Sequence, residues 1–157
     1  MTYAPQQQYV ESIDVPLWAP LYGASAPDAV IRFFKKYATF SGRASRSEYW
    51  WMILVNGVVS NLFYLLAMLA GVNDANVASV IALGLLVAWV LATLVPGVAL
   101  VVRRLHDANF SGWMALLGLI PLAGGIILLV FVLMGSKAEG QRFDRPGSVQ
   151  GQTLVGN

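Results

Sequence analysis

Three long stretches of this chain contain no charged side chain, and they hold most of its leucine, valine, isoleucine and alanine. They are Tyr49–Asn73, Ala75–Val102 and Ala108–Ser136, and all ten Lys and Arg and all eight Asp and Glu residues lie outside them. A helix needs about 20 consecutive apolar residues to cross the hydrocarbon core of a bilayer, which is about 30 Å thick. The sequence therefore predicts an all-α membrane protein with three transmembrane helices.

The composition is that of a membrane protein rather than a soluble one. Of the 157 residues, 57% are hydrophobic and 11% are charged, whereas a soluble domain has about 25% charged residues. The chain has no cysteine and one histidine, His106, which excludes disulfides, thiolate chemistry and a metal site built from several histidines of one chain. We therefore expect no cofactor, no metal and no catalytic residues. With a formal net charge of +2, we also expect no nucleic acid as a partner.

Local signals set the limits of the predicted spans. Ser45 and Glu48 form a capping box that starts the first span. The third stretch contains Pro121 and the pair Gly124-Gly125, which predict a kink because both residue types weaken a helix interior. A re-entrant hairpin is the alternative for this stretch. The three spans are expected at about 48–70, 77–102 and 113–134.

A short basic helix is predicted ahead of the spans, at 27–40. Val30, Phe33, Phe34 and Tyr37 follow the spacing of one helical face, and the basic residues Arg32, Lys35 and Lys36 follow the other. Such a helix suits the headgroup region of a bilayer, and packing of its apolar face on the protein's own spans is an equal alternative. Residues 1–26 are predicted to form a flexible tail and residues 137–157 a polar C-terminal tail, with the membrane domain at 27–136.

The distribution of Lys and Arg predicts the orientation. Five precede the first span (Arg32, Lys35, Lys36, Arg43, Arg46), the first loop has none, and the second loop has Arg103 and Arg104. Cytoplasmic loops carry an excess of Lys and Arg, so the N-terminus and the second loop are expected in the cytoplasm. With three spans, the C-terminal tail would then be periplasmic or extracellular, although it carries Lys137, Arg142 and Arg145.

Two polar blocks flank the predicted spans. The first, Ser41–Trp51, contains Ser-Gly-Arg-x-x-Arg-x-Glu-Tyr-Trp, and the second, Arg103–Trp113, contains Arg-Arg-Leu-His-Asp followed by Ser-Gly-Trp. Together with Ile120-Pro121 and the tail motif Gly140–Phe143, they resemble the bacterial family called domain of unknown function 805, which consists of small inner-membrane proteins. The resemblance covers about residues 33–146.

The resemblance implies a multi-pass protein of the bacterial inner membrane, and it implies no particular reaction. The chain departs from the family's pattern in the tail. Gln141 stands where the family tends to have Asn, and Asp144 stands where it tends to have Gly.

The predicted cytoplasmic face gathers the candidate binding residues. Its Arg side chains can bind phosphate through their planar fork, and anionic lipid headgroups are the nearest phosphates. The alternative is anchoring plus ion pairs, such as Glu48 or Asp107 with Arg103 or Arg104. The candidate residues for binding headgroups or a protein partner are Arg43, Arg46, Glu48, Trp50, Trp51, Arg103, Arg104, His106, Asp107 and Trp113.

Three functions are compatible with these features. The first is a non-enzymatic inner-membrane protein that binds anionic lipid headgroups or a membrane-protein partner. The second is a subunit of an oligomeric transporter or channel, suggested by the polar residues Asn56, Ser60, Asn61 and Tyr64 on the first span. The third is an enzyme acting on a lipid phosphate through Arg104, His106 and Asp107. Because adjacent helical residues do not face each other, we expect His106 and Asp107 to tie the second block to the first rather than to catalyse.

Overall fold

The computed structural model describes residues 15–73 and 76–144, and four α-helices and two 3₁₀-helices make up most of this part of the chain. The predicted tail residues 1–14 and 145–157 lie outside the described residues. The prediction of an all-helical membrane protein is confirmed. The α-helices are α1 (Ala26–Lys35), α2 (Arg46–Val72), α3 (Asn76–Asp107) and α4 (Ala123–Leu133), and the 3₁₀-helices are Gly112–Leu119 and Ala138–Phe143.

Helices α2 and α3 are long and apolar enough to cross a membrane. They contain 27 and 32 residues, and an 18-residue stretch within each has a mean hydropathy of 1.9 and 2.6, respectively. At 1.5 Å per residue the helices measure about 40 and 48 Å. The two helices pack side by side, and the Ser79 hydroxyl of α3 donates to the Ala67 carbonyl of α2 at 3.0 Å. The predicted capping box is present at the start of α2, with Ser45 as N-cap and Glu48 closing the box.

The predicted third span is wrong as a single kinked helix. Its residues form the 3₁₀-helix Gly112–Leu119 and the 11-residue helix α4, separated by a turn at Ile120–Leu122. Leu122 has a φ of 63°, a backbone conformation that a leucine rarely adopts. At 11 residues, α4 measures about 16 Å, which is about half the thickness of the hydrocarbon core.

The 3₁₀-helix and α4 lie against each other as a hairpin. The rings of Phe110 and Phe131 stack at the open end, with centroids 4.5 Å apart. Near the turn, a side chain at Gly124 would collide with the carbonyl oxygen of Leu117. Glycine is therefore required there for the two arms to approach. We call Gly112–Leu133 the hairpin, and it corresponds to the re-entrant alternative for this stretch.

The hairpin brings the chain back to the end of α3 from which it departed. The guanidinium group of Arg104, in the last turn of α3, donates to the carbonyls of Val132 and Met134. Further along, the amide of Lys137 donates to the Asp107 carbonyl at 2.9 Å. Residues 134–144 therefore lie at the same end of the molecule as the second loop, whereas the three-span prediction put them on opposite sides of the membrane. The physical reason is that neither arm of the hairpin is long enough to cross.

Helix α1 packs on α2 and α3 with a different face from the predicted one. Ala29, Arg32, Phe33 and Lys36 are buried, whereas the aromatic side chains of Phe34 and Tyr37 remain exposed. Phe33 belongs to a core cluster with Met52 of α2 and Leu100 of α3. The basic side chains Arg32 and Lys36 thus point into the protein, because a partner for them lies there.

Candidate functional site

We call one end of the molecule the polar end. Here the last turn of α1, the segment 36–45, the first turn of α2 and the last turn of α3 meet the segments 15–25 and 134–144. Residues 15–25 fall within the predicted flexible tail, yet Leu21 and Ala24 are buried there. Within the described residues, five ion pairs are present, and all of them lie at the polar end. They form two separate clusters.

Asp107 is the centre of the first cluster. Its carboxylate is fully buried and accepts hydrogen bonds from Arg104 Nη1 at 2.6 Å, from the Ser136 hydroxyl at 2.5 Å and from the Tyr22 hydroxyl at 3.2 Å. Arg43 Nη1 lies 3.7 Å from the same carboxylate. One acidic side chain therefore holds together α3, the first polar block, the N-terminal segment and the C-terminal tail.

Arg43 extends this cluster to a second acid. Its guanidinium group binds Asp144 in a bidentate manner, through Nε at 3.0 Å and Nη2 at 2.8 Å. Asp144 stands at a position where the chain departs from the family's pattern, and it was not among the predicted candidate residues. Two guanidinium groups thus face two carboxylates in what we call the Asp107 cluster, which comprises Arg43, Arg104, Asp107 and Asp144.

His106 connects the two polar blocks in the way the sequence suggested. Its Nδ1 lies 3.1 Å from the Gly42 carbonyl oxygen, and its ring stacks on Phe143 with centroids 4.0 Å apart. Gly42 has a φ of 79°, and a Cβ atom there would lie 2.5 Å from the Trp18 carbonyl oxygen. The first polar block therefore needs glycine at this position. His106 is engaged with the Gly42 backbone rather than with Asp107, which favours a structural role over catalysis.

Glu48 is the centre of the second cluster. Its Oε1 accepts a hydrogen bond from Arg32 Nε at 2.6 Å and lies 3.6 Å from Lys36 Nζ. Its Oε2 accepts from the backbone amides of Leu21 and Ser45, at 3.2 and 2.9 Å. The sequence predicted Glu48 at a helix start. The structure adds two cations, Arg32 in the last turn of α1 and Lys36 at its C-cap, which the sequence pattern assigned to an outward face.

Arg103 belongs to the second cluster as well. It is buried, its Nε donates to the Ala99 carbonyl at 3.1 Å, and it interacts electrostatically with Glu48 and Lys36. Burial lowers the pKa of Lys36 to about 8, a decrease that repulsion from Arg32 and Arg103 reinforces and attraction to Glu48 opposes. We call Arg32, Lys36, Glu48 and Arg103 the Glu48 cluster.

The remaining candidate residues stay outside both clusters. Arg46 is exposed, and its Nε donates to the Met134 carbonyl at 3.2 Å. Trp50 and Trp51 are partly exposed on the first turns of α2, and Trp113 is 80% exposed on the hairpin. The ten predicted residues therefore do not form one continuous binding surface.

A cleft of about 360 Å³ opens beside the Asp107 cluster, between the N-terminal and C-terminal segments. Arg43, Asp144, Tyr22 and Trp18 contribute to its walls. Two of the charged groups in these walls, Arg43 and Asp144, already bind each other, and Lys137 lines the cleft as well. Among the described residues, no group of three or more His, Cys, Asp or Glu side chains is placed to hold a metal ion.

Comparisons with known proteins give a consistent result. A family model described as "Protein of unknown function (DUF805)" matches residues 37–145. Inner membrane protein YhaI of Escherichia coli (strain K12) is 37% identical over 109 residues, which cover 69% of this chain and 86% of the relative. Inner membrane protein YhaH of the same strain is 36% identical over 116 residues, which cover 74% of this chain and 93% of the relative. No solved structure is significantly similar to the chain.

The match extends over both spanning helices, the hairpin and most of the polar end. The two relatives are named as inner-membrane proteins, and this agrees with two helices of spanning length in the described part of the chain. The protein is therefore a multi-pass inner-membrane protein. It belongs to the family of proteins of unknown function called DUF805.

Proposed function

We propose that the protein is a non-enzymatic inner-membrane protein whose polar end faces the cytoplasm and binds anionic lipid headgroups. One observation carries this proposal. Within residues 15–73 and 76–144, the exposed charged side chains are four cations and one acid, Glu139. The exposed cations are Lys35, Arg46, Lys137 and Arg142.

The exposed cations include only one of the four arginines, Arg46, that the sequence predicted to bind headgroups. Arg43, Arg103 and Arg104 are buried at the polar end, so none of them presents an exposed charge to the membrane surface. Arg43 and Arg104 also bond carboxylates. Arg46 and Arg142 each use one guanidinium nitrogen on a backbone carbonyl and retain others for a ligand. Each basic residue near an anionic surface contributes about 1 kcal/mol of attraction.

The aromatic side chains support binding at headgroup depth. Trp50 and Trp51 lie four and five residues after Arg46 on α2, and both are partly exposed. Tyr37 and Phe40 follow Lys35 at the end of α1 and are exposed as well. Tryptophan and tyrosine are enriched at the level of the headgroups in membrane proteins.

Removal of the four exposed charges tests the proposal. We expect the variant Lys35→Gln, Arg46→Gln, Lys137→Gln, Arg142→Gln to lose its preference for phosphatidylglycerol over phosphatidylcholine, by about fivefold for each cation removed at low salt. The measurement is lipid retention by native mass spectrometry of the purified protein. The control is Lys35→Arg, which keeps the charge. Unchanged retention of phosphatidylglycerol by the fourfold variant would reject the proposal.

The proposed orientation rests on the hairpin. If the hairpin returns to its starting side, the nine Lys and Arg residues within 15–73 and 76–144 lie on one side of the membrane. The three-span prediction leaves two of these nine, Lys137 and Arg142, on the opposite side. An excess of Lys and Arg marks the cytoplasmic side, so the two-span arrangement agrees with the charges without exception.

Reporter fusions measure this orientation. We expect green fluorescent protein fused at the C-terminus to fluoresce, and alkaline phosphatase fused there to be inactive, because the reporter stays in the cytoplasm. The matched control is alkaline phosphatase inserted after Asn73, between α2 and α3, where activity is expected. Active phosphatase at the C-terminus would show that the chain crosses the membrane a third time.

The alternative of an oligomeric transporter or channel subunit has less support. Asn61, part of the polar stripe on α2, donates from its amide to the Gly57 carbonyl of its own helix at 2.8 Å. Asn61 and Tyr64 are exposed, whereas Asn56 and Ser60 are half-buried. The stripe therefore does not line an internal path within one chain.

A further inference from the structure

The two ion clusters of the polar end differ in their balance of charge. The Asp107 cluster contains two guanidinium groups and two carboxylates, and each guanidinium group bonds a carboxylate. The Glu48 cluster contains three cations and one carboxylate. A buried charge without a counter-charge is strongly unfavourable. The Glu48 cluster is therefore short of negative charge by two.

Two cations of the Glu48 cluster also have unused hydrogen-bond donors. Lys36 is 2% exposed and Arg103 is 1% exposed. Lys36 Nζ and Arg103 Nη2 are buried and have no hydrogen-bond partner among the described residues. Arg32, in contrast, donates to Glu48 and to the carbonyls of Val15, Pro16 and Ala19.

Glu48 is already engaged at both of its oxygens. Oε1 accepts from Arg32, and Oε2 accepts from two backbone amides. Lys36 Nζ remains 3.6 Å from Oε1, which is beyond hydrogen-bond distance. The pKa of Lys36 is lowered to about 8 by burial, with repulsion from neighbouring arginines adding to the effect. The ammonium group therefore keeps its proton at neutral pH, and the excess of positive charge persists.

We propose that Lys36 and Arg103 form a binding site for a phosphate group, supplied by an anionic phospholipid headgroup or by free phosphate. Arginine binds phosphate oxygens through its planar fork, and lysine binds them as a compact charge. A phosphate accepts hydrogen bonds from both unused donors and compensates the excess charge. The site lies between the ends of α1 and α3, at the polar end.

Access to this site depends on Lys36. Lys36 is the C-cap of α1, directly after the helix ends at Lys35, and the residues that follow it, Tyr37–Phe40, are exposed. Its side chain has a flexible four-carbon stem, so a rotation towards Tyr37 opens the cluster from the exposed side. Arg103 is held by α3 and supplies the fixed half of the site. If the site binds free phosphate, this inference is independent of the proposed function. If the phosphate belongs to a lipid headgroup, the inference rests on the proposed function.

The test compares the variant Lys36→Gln with the wild-type protein, both as purified full-length chains in mild detergent. We expect inorganic phosphate, titrated at constant ionic strength, to raise the unfolding temperature of the wild-type protein. Loss of one charged hydrogen-bond donor should weaken the apparent affinity for phosphate by about tenfold or more in Lys36→Gln. Arg103→Gln should behave in the same way. Glu139→Gln is the control, because it removes an exposed charge that belongs to neither binding group and leaves both donors in place.

Native mass spectrometry with phosphatidylglycerol and phosphatidylcholine distinguishes the two sources. Loss of bound phosphatidylglycerol in Lys36→Gln indicates a lipid phosphate, and loss of the phosphate response alone indicates free phosphate. The inference is rejected if Lys36→Gln keeps the wild-type lipid retention and, in addition, either keeps the wild-type phosphate response or the wild-type protein shows no such response. If in that case the variant lacking the four exposed cations still loses phosphatidylglycerol, the proposed function survives without this site.

Discussion

Replacement of Asp107 by Asn is expected to destabilise the protein by about 3–5 kcal/mol, which is the cost of removing one partner from a buried ion pair. Asp107 is fully buried and holds Arg104, Arg43, Ser136 and Tyr22 at once. The asparagine side chain keeps the size of the group but removes its charge, so Arg104 is left buried without a counter-charge. The measurement is the midpoint of unfolding in a titration of mild detergent with a denaturing one.

The same substitution should release the C-terminal segment, because Asp107 bonds Ser136 through its side chain. We expect trypsin to cleave Asp107→Asn faster than the wild-type protein after Lys137 and Arg142. Glu139→Gln is the matched control, since it removes an exposed carboxylate from the same segment. A loss of less than about 1 kcal/mol, which is typical of an exposed pair, would show that Asp107 is not the centre of the polar end.

Replacement of Glu48 by Gln is expected to have an effect of similar size, about 3–5 kcal/mol. Glutamine retains the capping-box geometry at the start of α2, so the loss reports on charge rather than on helix formation. Arg32, Lys36 and Arg103 would then be buried together without a carboxylate among them. The measurement is again the free energy of unfolding, at pH 6 and at pH 9.

A second substitution, Lys36→Met in the Glu48→Gln variant, measures how strongly the cations of the Glu48 cluster repel each other. We expect Lys36→Met to restore part of the stability lost in Glu48→Gln, because it removes one of the three cations. The share of the loss that involves Lys36 should disappear as the pH rises through about 8, where the ammonium group in the wild-type protein gives up its proton. Identical losses at both pH values, together with no rescue by Lys36→Met, would contradict this account of the Glu48 cluster.

The parts of the fold that depend on local patterns were predictable from the sequence. Charge-free stretches identified α2 and α3, and the Ser45–Glu48 capping box marked the start of α2 within two residues of the predicted limit. The hairpin was the alternative rather than the main prediction. A hydropathy profile gives the length of an apolar stretch, but it does not show whether the chain continues in one direction or turns back. Two signals for the hairpin were present, the Pro121 and Gly124-Gly125 breaks and the three basic residues in a tail assigned to the outside.

The candidate site, too, could be predicted only in part from the sequence. The sequence gathered Arg43, Arg104 and Asp107 correctly, since the two polar blocks were expected at one membrane face. It missed Asp144, which meets Arg43 across 101 positions of sequence and which no local pattern connects to it. The sequence analysis also predicted Arg32 and Lys36 on an exposed face. An amphipathic pattern cannot show that a buried carboxylate, here Glu48, lies opposite the basic face.

The hairpin also affects the shape that the protein presents to lipids. Its eight-residue 3₁₀ arm and its 11-residue α4 arm each reach about 16 Å, which is about the thickness of one leaflet, whereas α2 and α3 are long enough to cross both leaflets. In the proposed orientation, with the hairpin inserted beside these helices, the molecule is a wedge that has a larger cross-section in the leaflet next to the polar end. A wedge of this kind spreads the lipids of one leaflet more than those of the other, and it favours a bilayer that bulges towards its wide side. Membrane curvature is thus a property to which this small protein should respond.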